Sequence, residues 1–128
     1  MMVRDCSTSL PAVILVVEDE TLLRMRAVDI VEDAGYSSLE AADAAAALGI
    51  LESRSDIGLL FTDIQMPGSM DGLKLAHAVH ERWSPIKIIL VSGQIRPQDN
   101  LPPNSRFFAK PLQSSQMIAE MQDMMGDA

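Results

Sequence analysis

The 128-residue chain has one cysteine, few basic residues and no long apolar run. Cys6 has no second cysteine to pair with, which fits a reducing compartment. Ten lysines and arginines against 18 acids give a net charge of −8, which argues against nucleic-acid binding, because phosphate contacts need clustered basic side chains. No run approaches the roughly 18 apolar residues that span a bilayer. These absences favour a cytoplasmic protein whose partners are proteins or cations, with no nucleic acid and no membrane.

The length of the chain fits a single domain, and a domain of this size buries roughly two-thirds of the surface of its unfolded chain. The sequence contains no linker, internal repeat or low-complexity tract. The apolar run at residues 12–17 is short and ends in three acids, so it is better explained as a strand than as a signal-peptide core. We expect residues 1–10 to form a flexible tail and residues 11–128 to form the domain.

Apolar runs alternate with helically spaced apolar residues along the chain. Strands are predicted at residues 12–17, 36–40, 57–62, 86–91 and 106–109. Helices are predicted to end at Gly35, to begin after Asp43, to run from Gly72 to Trp83 and to begin near Pro111. The unbroken apolar run at 57–62 indicates a central parallel strand covered on both faces. The alternation predicts a doubly wound α/β fold with a five-stranded parallel sheet.

The connection between the fourth and fifth strands departs from this alternation. Pro97, Pro102 and Pro103 lie within it, and proline breaks the interior of a helix. About one helical turn fits at residues 97–101. The sequence therefore predicts four substantial helices, with the fourth of five shortened or missing.

Acidic residues follow two of the predicted strands. Glu18, Asp19 and Glu20 follow the first strand, and Asp63 follows the third. The carboxyl ends of parallel strands share one edge of the sheet, where open α/β folds bind their ligands. Several carboxylates at such an edge are costly unless they share a cation or a proton. The sequence therefore indicates a metal site.

Each polar residue at a strand end also has a simpler explanation when it is taken alone. Asp63 fits a turn-capping carboxylate equally well, and the acids at 18–20 fit a first helical turn that the helix dipole stabilises. Ser92 alone is better explained as a cap, and Lys110 alone as a solvated surface charge. All of them fall in order at predicted strand ends, however, and this conjunction favours a functional site.

The motifs together resemble the receiver domain of bacterial two-component response regulators. They are Val16-Val17-Glu18-Asp19-Glu20, Asp63-Ile64-Gln65-Met66-Pro67, Asp71-Gly72, Val91-Ser92-Gly93 and Phe107-Phe108-Ala109-Lys110-Pro111. The resemblance extends over residues 12–125 and implies a flavodoxin-like sheet with strand order 2-1-3-4-5. A stand-alone receiver is expected, because no effector domain follows the last predicted helix.

The resemblance implies a metal-assisted phosphoryl transfer. Asp63 would accept a phosphoryl group from a histidine kinase or phosphotransfer protein. Asp19 and Asp63 would bind Mg²⁺ directly, Glu18 would act through water, and the backbone carbonyl of Gln65 would complete the protein ligands. The domain would catalyse only its own phosphorylation and dephosphorylation, and would signal through protein contacts to an unknown downstream partner.

The resemblance also implies a switch. Lys110 would stabilise charge during transfer, Ser92 would bond an arriving phosphoryl oxygen, and Phe107 would move inward with Ser92. We expect residues 94–105, which follow Ser92 directly, to be the most mobile part of the domain and to transmit the change. An adaptor that binds a partner when phosphorylated and a phosphate sink that drains a kinase both fit.

Some residues depart from the family pattern. Glu18 stands where Asp is more usual, Phe107 stands where Tyr is often found, and the gap from Ser92 to Lys110 is short. A rival interpretation is a haloacid-dehalogenase-type phosphohydrolase, but that class needs an Asp two residues after the nucleophile, where Gln65 stands. A second rival is an interaction module that never turns over phosphate.

Three further groups of residues are expected to have no chemical role. His77 and His80 lie three residues apart on a predicted helix and are expected to face solvent, since no carboxylate or thiol joins them. The methionines of the last helix are expected to fill gaps in the core. Trp83 is expected to pack at a helix end.

Overall fold

A computed structural model describes residues 12–66, 68, 70–93 and 100–126. Its elements, in chain order, are β1 (Val13–Val17), α1 (Thr21–Asp33), β2 (Ser37–Ala41), α2 (Ala44–Ser53), β3 (Ile57–Asp63), α3 (Gly72–Arg82), β4 (Lys87–Ser92), β5 (Arg106–Ala109) and α4 (Ser114–Met125). The strands form one parallel sheet in the order β2-β1-β3-β4-β5. The doubly wound α/β fold and its strand order are therefore confirmed.

The sheet separates two apolar clusters. Leu15 of β1 packs into the cluster formed with α2 and α3, whereas its neighbours Ile14 and Val16 pack into the cluster formed with α1 and α4. Successive side chains of a strand point to opposite faces, so a strand that is apolar throughout requires cover on both sides. The prediction of a central strand from the apolar run at residues 57–62 is confirmed, because β3 contributes Leu60 to the first cluster and Phe61 to the second.

The helix boundaries follow local signals, with one correction. Gly35 has φ 101° and directly follows the end of α1, as predicted for a helix-ending glycine. Asp43 caps α2, since its side chain accepts a hydrogen bond of 2.8 Å from the backbone N–H of Ala46. The prediction that α4 begins near Pro111 is wrong by about one turn: α4 begins at Ser114, because Gln113 before it is still extended at φ −101° and ψ 116°.

The connection between β4 and β5 is only partly described. Residues 94–99 lie outside the described ranges, and so does most of the helical turn predicted at residues 97–101. Residues 100–105 contain turns and no helix, and both the backbone N–H and the hydroxyl of Ser105 donate to the carbonyl of Pro102, at 3.2 and 2.7 Å. The described ranges thus contain four helices, as predicted. The described part of the connection between β4 and β5, residues 100–105, contains no shortened additional helix. The predicted tail at residues 1–10 also lies outside them.

The methionines of α4 belong to the core, as predicted: Met117, Met121 and Met124 are buried in the cluster with α1. Trp83 follows the end of α3 and packs against the cluster of α2 and α3, while the guanidinium of Arg82 lies 4.3 Å from the centre of its ring.

The two histidines of α3 are both half-buried, so the prediction that they face solvent holds only in part. His77 Nε2 lies 2.6 Å from the carbonyl oxygen of Asn100 and donates to it, which joins α3 to the connection between β4 and β5.

No helix in the described ranges is long and apolar enough to cross a membrane.

Candidate functional site

The polar residues singled out in the sequence meet at the carboxyl edge of the sheet. Glu18 directly follows β1, Asp63 ends β3, Ser92 ends β4, and Lys110 directly follows β5. The parallel register sets Asp63 beside Val91, one residue before Ser92. The topology therefore brings together residues that are up to 92 positions apart in the chain.

Three carboxylates form a compact cluster at this edge. Oxygen atoms of Glu18, Asp19 and Asp63 all lie within 4.8 Å of one another. Asp19 is exposed, whereas Glu18 and Asp63 are each only 4% exposed. Among the described residues, the buried oxygen Oδ1 of Asp63 has no hydrogen-bond partner. Carboxylate oxygens are the ligands that Mg²⁺ prefers, so these residues fit a magnesium ion.

Lys110 lies between the buried acids. Its Nζ donates a hydrogen bond of 3.0 Å to Glu18 Oε1 and lies 3.3 Å from Asp63 Oδ1, near enough for ionic attraction but without hydrogen-bond geometry. Burial lowers the pKa of Lys110, but the hydrogen bond to Glu18 and the charges of both carboxylates outweigh burial and raise this pKa overall. Lys110 is therefore a permanent positive charge beside Asp63.

The electrostatics of Asp63 are unusual for a surface-edge carboxyl. Burial, and then the negative charge of Glu18, raise the pKa of Asp63 to about 6, although Lys110 opposes the rise. The charged form of Asp63 is thus held at some cost in the metal-free protein. A bound divalent cation would favour the charged form, which is the nucleophilic one.

Both carboxylate oxygens of Glu18 are already engaged by the protein. Oε1 accepts from Lys110, and Oε2 accepts a 3.1 Å hydrogen bond from the backbone N–H of Glu20. The backbone carbonyl of Glu18 accepts a 2.8 Å hydrogen bond from Arg24 Nη1. The exposed Asp19 has more freedom to bind a metal directly, which is consistent with the sequence-based expectation that Glu18 acts through water.

One contact was missed by the sequence reasoning. The hydroxyl of Ser92 donates a 2.9 Å hydrogen bond to Oε1 of Gln65, two residues after Asp63. The sequence expectation used only the backbone carbonyl of Gln65, whose role as a metal ligand stays a prediction. The sequence did hold a signal for this contact. Gln65 follows the end of β3, which lies beside the end of β4, so its long side chain can reach Ser92, the last residue of β4.

The start of α3 packs directly behind the site. Asp71 caps this helix by accepting a 2.9 Å hydrogen bond from the backbone N–H of Lys74, and the N–H of Gly72 donates to the carbonyl of Ile64 at 2.8 Å. Phe107 of β5 is half-buried and packs against the cluster of α2 and α3. The proposed movement of Phe107 stays a prediction.

A five-stranded sheet of this order with an acidic pocket at its carboxyl edge defines the receiver class of signalling module. The family model of the response regulator receiver domain matches residues 14–122. The chain belongs to this family, whose members are signalling modules rather than classical enzymes. The acidic pocket of Glu18, Asp19 and Asp63 is typical of the phosphoacceptor and Mg²⁺ site of the family.

Individual relatives agree with this assignment. The chain is 33% identical over 119 residues to the sensor kinase CckA of Brucella abortus, covering 89% of this chain and 12% of the kinase. A response regulator receiver protein from Sinorhizobium medicae has 26% identity and a TM-score of 0.83, covering 90% of this chain and 94% of that one. Response regulator TrrA from Thermotoga maritima, solved in complex with Mg²⁺-BeF, has 24% identity and a TM-score of 0.80, with 88% and 98% covered.

Proposed function

We propose that Asp63 is the phosphoacceptor of a two-component phosphorelay, which receives its phosphoryl group from a histidine kinase or phosphotransfer protein. The observation that carries this proposal is the placement of Asp63 Oδ1, which is buried and 3.3 Å from the Lys110 ammonium, with oxygens of Asp19 and Glu18 close by. A nucleophile, a fixed cation and a metal-binding oxygen set therefore meet at one point.

The chemistry is a direct displacement at phosphorus. A carboxylate oxygen of Asp63 forms a bond to the phosphorus of a phosphohistidine, while the phosphorus–nitrogen bond breaks and its electron pair stays on the imidazole nitrogen. Because such transfers pass through a loose transition state, they depend on positioning and on charge stabilisation. Lys110 supplies a positive charge beside the oxygens of the transferred group.

The residues for magnesium are the ones that the cluster brings together. Asp19 and Asp63 would hold Mg²⁺ directly, with Glu18 acting through water and the carbonyl of Gln65 as a further ligand. When bound, Mg²⁺ would neutralise negative charge on the phosphoryl oxygens. The related Thermotoga protein was solved with Mg²⁺-BeF, which supports the use of that phosphoryl mimic here.

Ser92 and Phe107 would report the phosphoryl group to the surface. Ser92 is fully buried at the end of β4, and its backbone carbonyl accepts a 2.8 Å hydrogen bond from the N–H of Lys110. A movement of the Ser92 hydroxyl towards a phosphoryl oxygen would therefore occur beside β5, which carries Phe107. The output would pass through protein–protein contacts with a downstream partner.

A phosphohydrolase is disfavoured by the same geometry. The position that would carry a general acid in such an enzyme holds Gln65, whose amide has no acidic proton and accepts from Ser92.

The proposal is tested by incubating the protein with a small phosphodonor and Mg²⁺ and measuring its intact mass. The wild type is expected to gain one phosphoryl group that maps to Asp63. Asp63→Asn and Asp19→Ala should stay unlabelled, because the first removes the nucleophile and the second removes a metal ligand. Asp56→Asn serves as the control and should be labelled like the wild type, because Asp56 is exposed and precedes β3 at the opposite end of that strand from Asp63. Labelling of Asp63→Asn at the wild-type rate would overturn the assignment.

A further inference from the structure

We propose that Gln65 is a positioning residue whose side-chain amide competes with the phosphoryl group for the hydroxyl of Ser92. The inference rests on the proposed function of Asp63 and adds a restraint on the switch to it. In this proposal, the hydrogen bond to Gln65 must break before Ser92 can bond a phosphoryl oxygen, and the cost of breaking it lowers the affinity of the site for the phosphoryl group.

The competition follows from the geometry of the contact. Ser92 Oγ donates to Gln65 Oε1 at 2.9 Å, and Ser92 is fully buried, whereas Gln65 is exposed. A serine hydroxyl carries a single proton. Ser92 therefore cannot donate to Gln65 and to a phosphoryl oxygen at the same time, and the contact must break before the switch forms.

When this hydrogen bond breaks, the Gln65 amide and the Ser92 hydroxyl differ in the hydrogen-bond partners that remain for them. The amide of Gln65 lies at the surface, where water can replace the hydroxyl as its partner. The buried hydroxyl of Ser92, in contrast, needs a partner inside the protein. Charged acceptors form stronger hydrogen bonds than neutral amides. A phosphoryl oxygen would therefore replace Gln65 as the acceptor of the Ser92 hydroxyl. The Gln65 contact thus holds Ser92 in place until a phosphoryl group arrives.

The hydrogen bond between Gln65 and Ser92 also restrains the strand ends that surround the site. Gln65 follows the strand that ends in Asp63, so it holds the end of β4 against the end of β3. The carbonyl of Ser92 is bonded to the N–H of Lys110, so the same restraint reaches the start of the chain segment after β5. Removing the amide acceptor should therefore make the phosphoryl-bound state easier to reach.

The test uses Gln65→Met, which keeps the unbranched side chain but removes the amide. Affinity for beryllofluoride is measured by fluorine NMR titration of the full chain in saturating Mg²⁺. We expect Gln65→Met to bind the mimic about fivefold more tightly than the wild type, the size expected for one hydrogen bond. Gln116→Met, the same change at an exposed glutamine on α4, is the matched control and should bind like the wild type.

A double-mutant cycle separates this role from a general effect on the loop. In a Ser92→Ala background the gain from Gln65→Met should disappear, because there is no hydroxyl left to release. Wild-type affinity in Gln65→Met, or a gain that persists without Ser92, would overturn the proposal. If the wild type binds no mimic and is not labelled at Asp63, the proposed function itself fails and this inference fails with it.

Discussion

A Cβ atom at Gly72 would lie 1.8 Å from the backbone carbonyl oxygen of Asp63 and 2.7 Å from its carbonyl carbon. Because that neighbour is backbone, it cannot rotate away as a flexible side chain would. The first residue of α3 thus holds the end of β3, and with it the proposed nucleophile, at a fixed separation that only glycine permits.

We therefore expect Gly72→Ala to destabilise the protein by about 1–3 kcal/mol, as overpacking of a tight contact does. Urea denaturation measures this loss, and phosphodonor labelling should slow as Asp63 shifts. Gly49→Ala on α2 is the matched control, since a Cβ there meets no atom within 4 Å. That change should stabilise the helix by up to about 1 kcal/mol. Equal stability of the two variants would contradict the steric argument.

Replacing the proposed nucleophile should stabilise the metal-free protein at neutral pH. The pKa of Asp63 is raised to about 6 in the folded protein, so the native state binds more protons than the unfolded state between pH 4 and 6. The contribution of Asp63 to wild-type stability therefore falls as pH rises through that range. Asp63→Asn cannot ionise and should escape this loss, which amounts to at most about 3 kcal/mol.

Urea denaturation in a chelator at pH 4 and pH 8 measures this effect, and the advantage of Asp63→Asn should appear only at the higher pH. Asp56→Asn is the control with the opposite sign, because a hydrogen bond from Arg54 lowers the pKa of Asp56. Asp56→Asn should therefore gain no stability at pH 8. An advantage of Asp63→Asn that is equal at both pH values would show that ionisation is not its cause.

Neutralising Glu18 should lower the pKa of Asp63 towards its ordinary value. After burial, the charge of Glu18 is the largest cause that raises this pKa. Carbon NMR titration of the aspartate carboxyls in metal-free protein would detect the shift in Glu18→Gln. Glu52→Gln, an exposed acid paired with Arg82 on the surface, is the control and should leave Asp63 unchanged. A pKa of Asp63 that stays near 6 in Glu18→Gln would contradict this cause.

Removing the ammonium of Lys110 should slow phosphorylation by at least about tenfold, because in the proposed function the ammonium stabilises charge on the transferred group. The measurement is the rate of mass labelling in Lys110→Met with a small phosphodonor. Lys87→Met removes an exposed lysine at the start of β4, the opposite end of that strand from the site, and should keep the wild-type rate. Equal rates in both variants would show that Lys110 acts elsewhere than in the transfer.

The sequence predicted that these polar residues would lie together, because they stand at strand ends. Each polar residue interrupts an apolar run, and parallel strands bring such interruptions to one edge, so the meeting of Glu18, Asp63, Ser92 and Lys110 needs no knowledge of side-chain conformation. The strand order came from the family resemblance, since period and spacing alone do not fix which strands are neighbours.

Contacts that depend on side-chain reach could not be predicted in the same way. The hydrogen bonds of Gln65 to Ser92 and of His77 to Asn100 join separate loops and helices, and sequence spacing holds no information about those distances. The start of α4 was misplaced because proline suits the first turn of a helix, while the chain here stays extended through Gln113. Such features follow from packing rather than from pattern.

The place of the single tryptophan limits which spectroscopic signals can follow signalling. Trp83 follows the C-terminal end of α3, about 16 Å of helix away from Gly72, which packs against Asp63. Its indole lies under Arg82 and against the core, so its emission should change strongly on unfolding. Intrinsic fluorescence is therefore a good probe of denaturation but a poor one of the phosphoryl pocket, and a reporter of occupancy would have to be introduced near the carboxyl edge of the sheet.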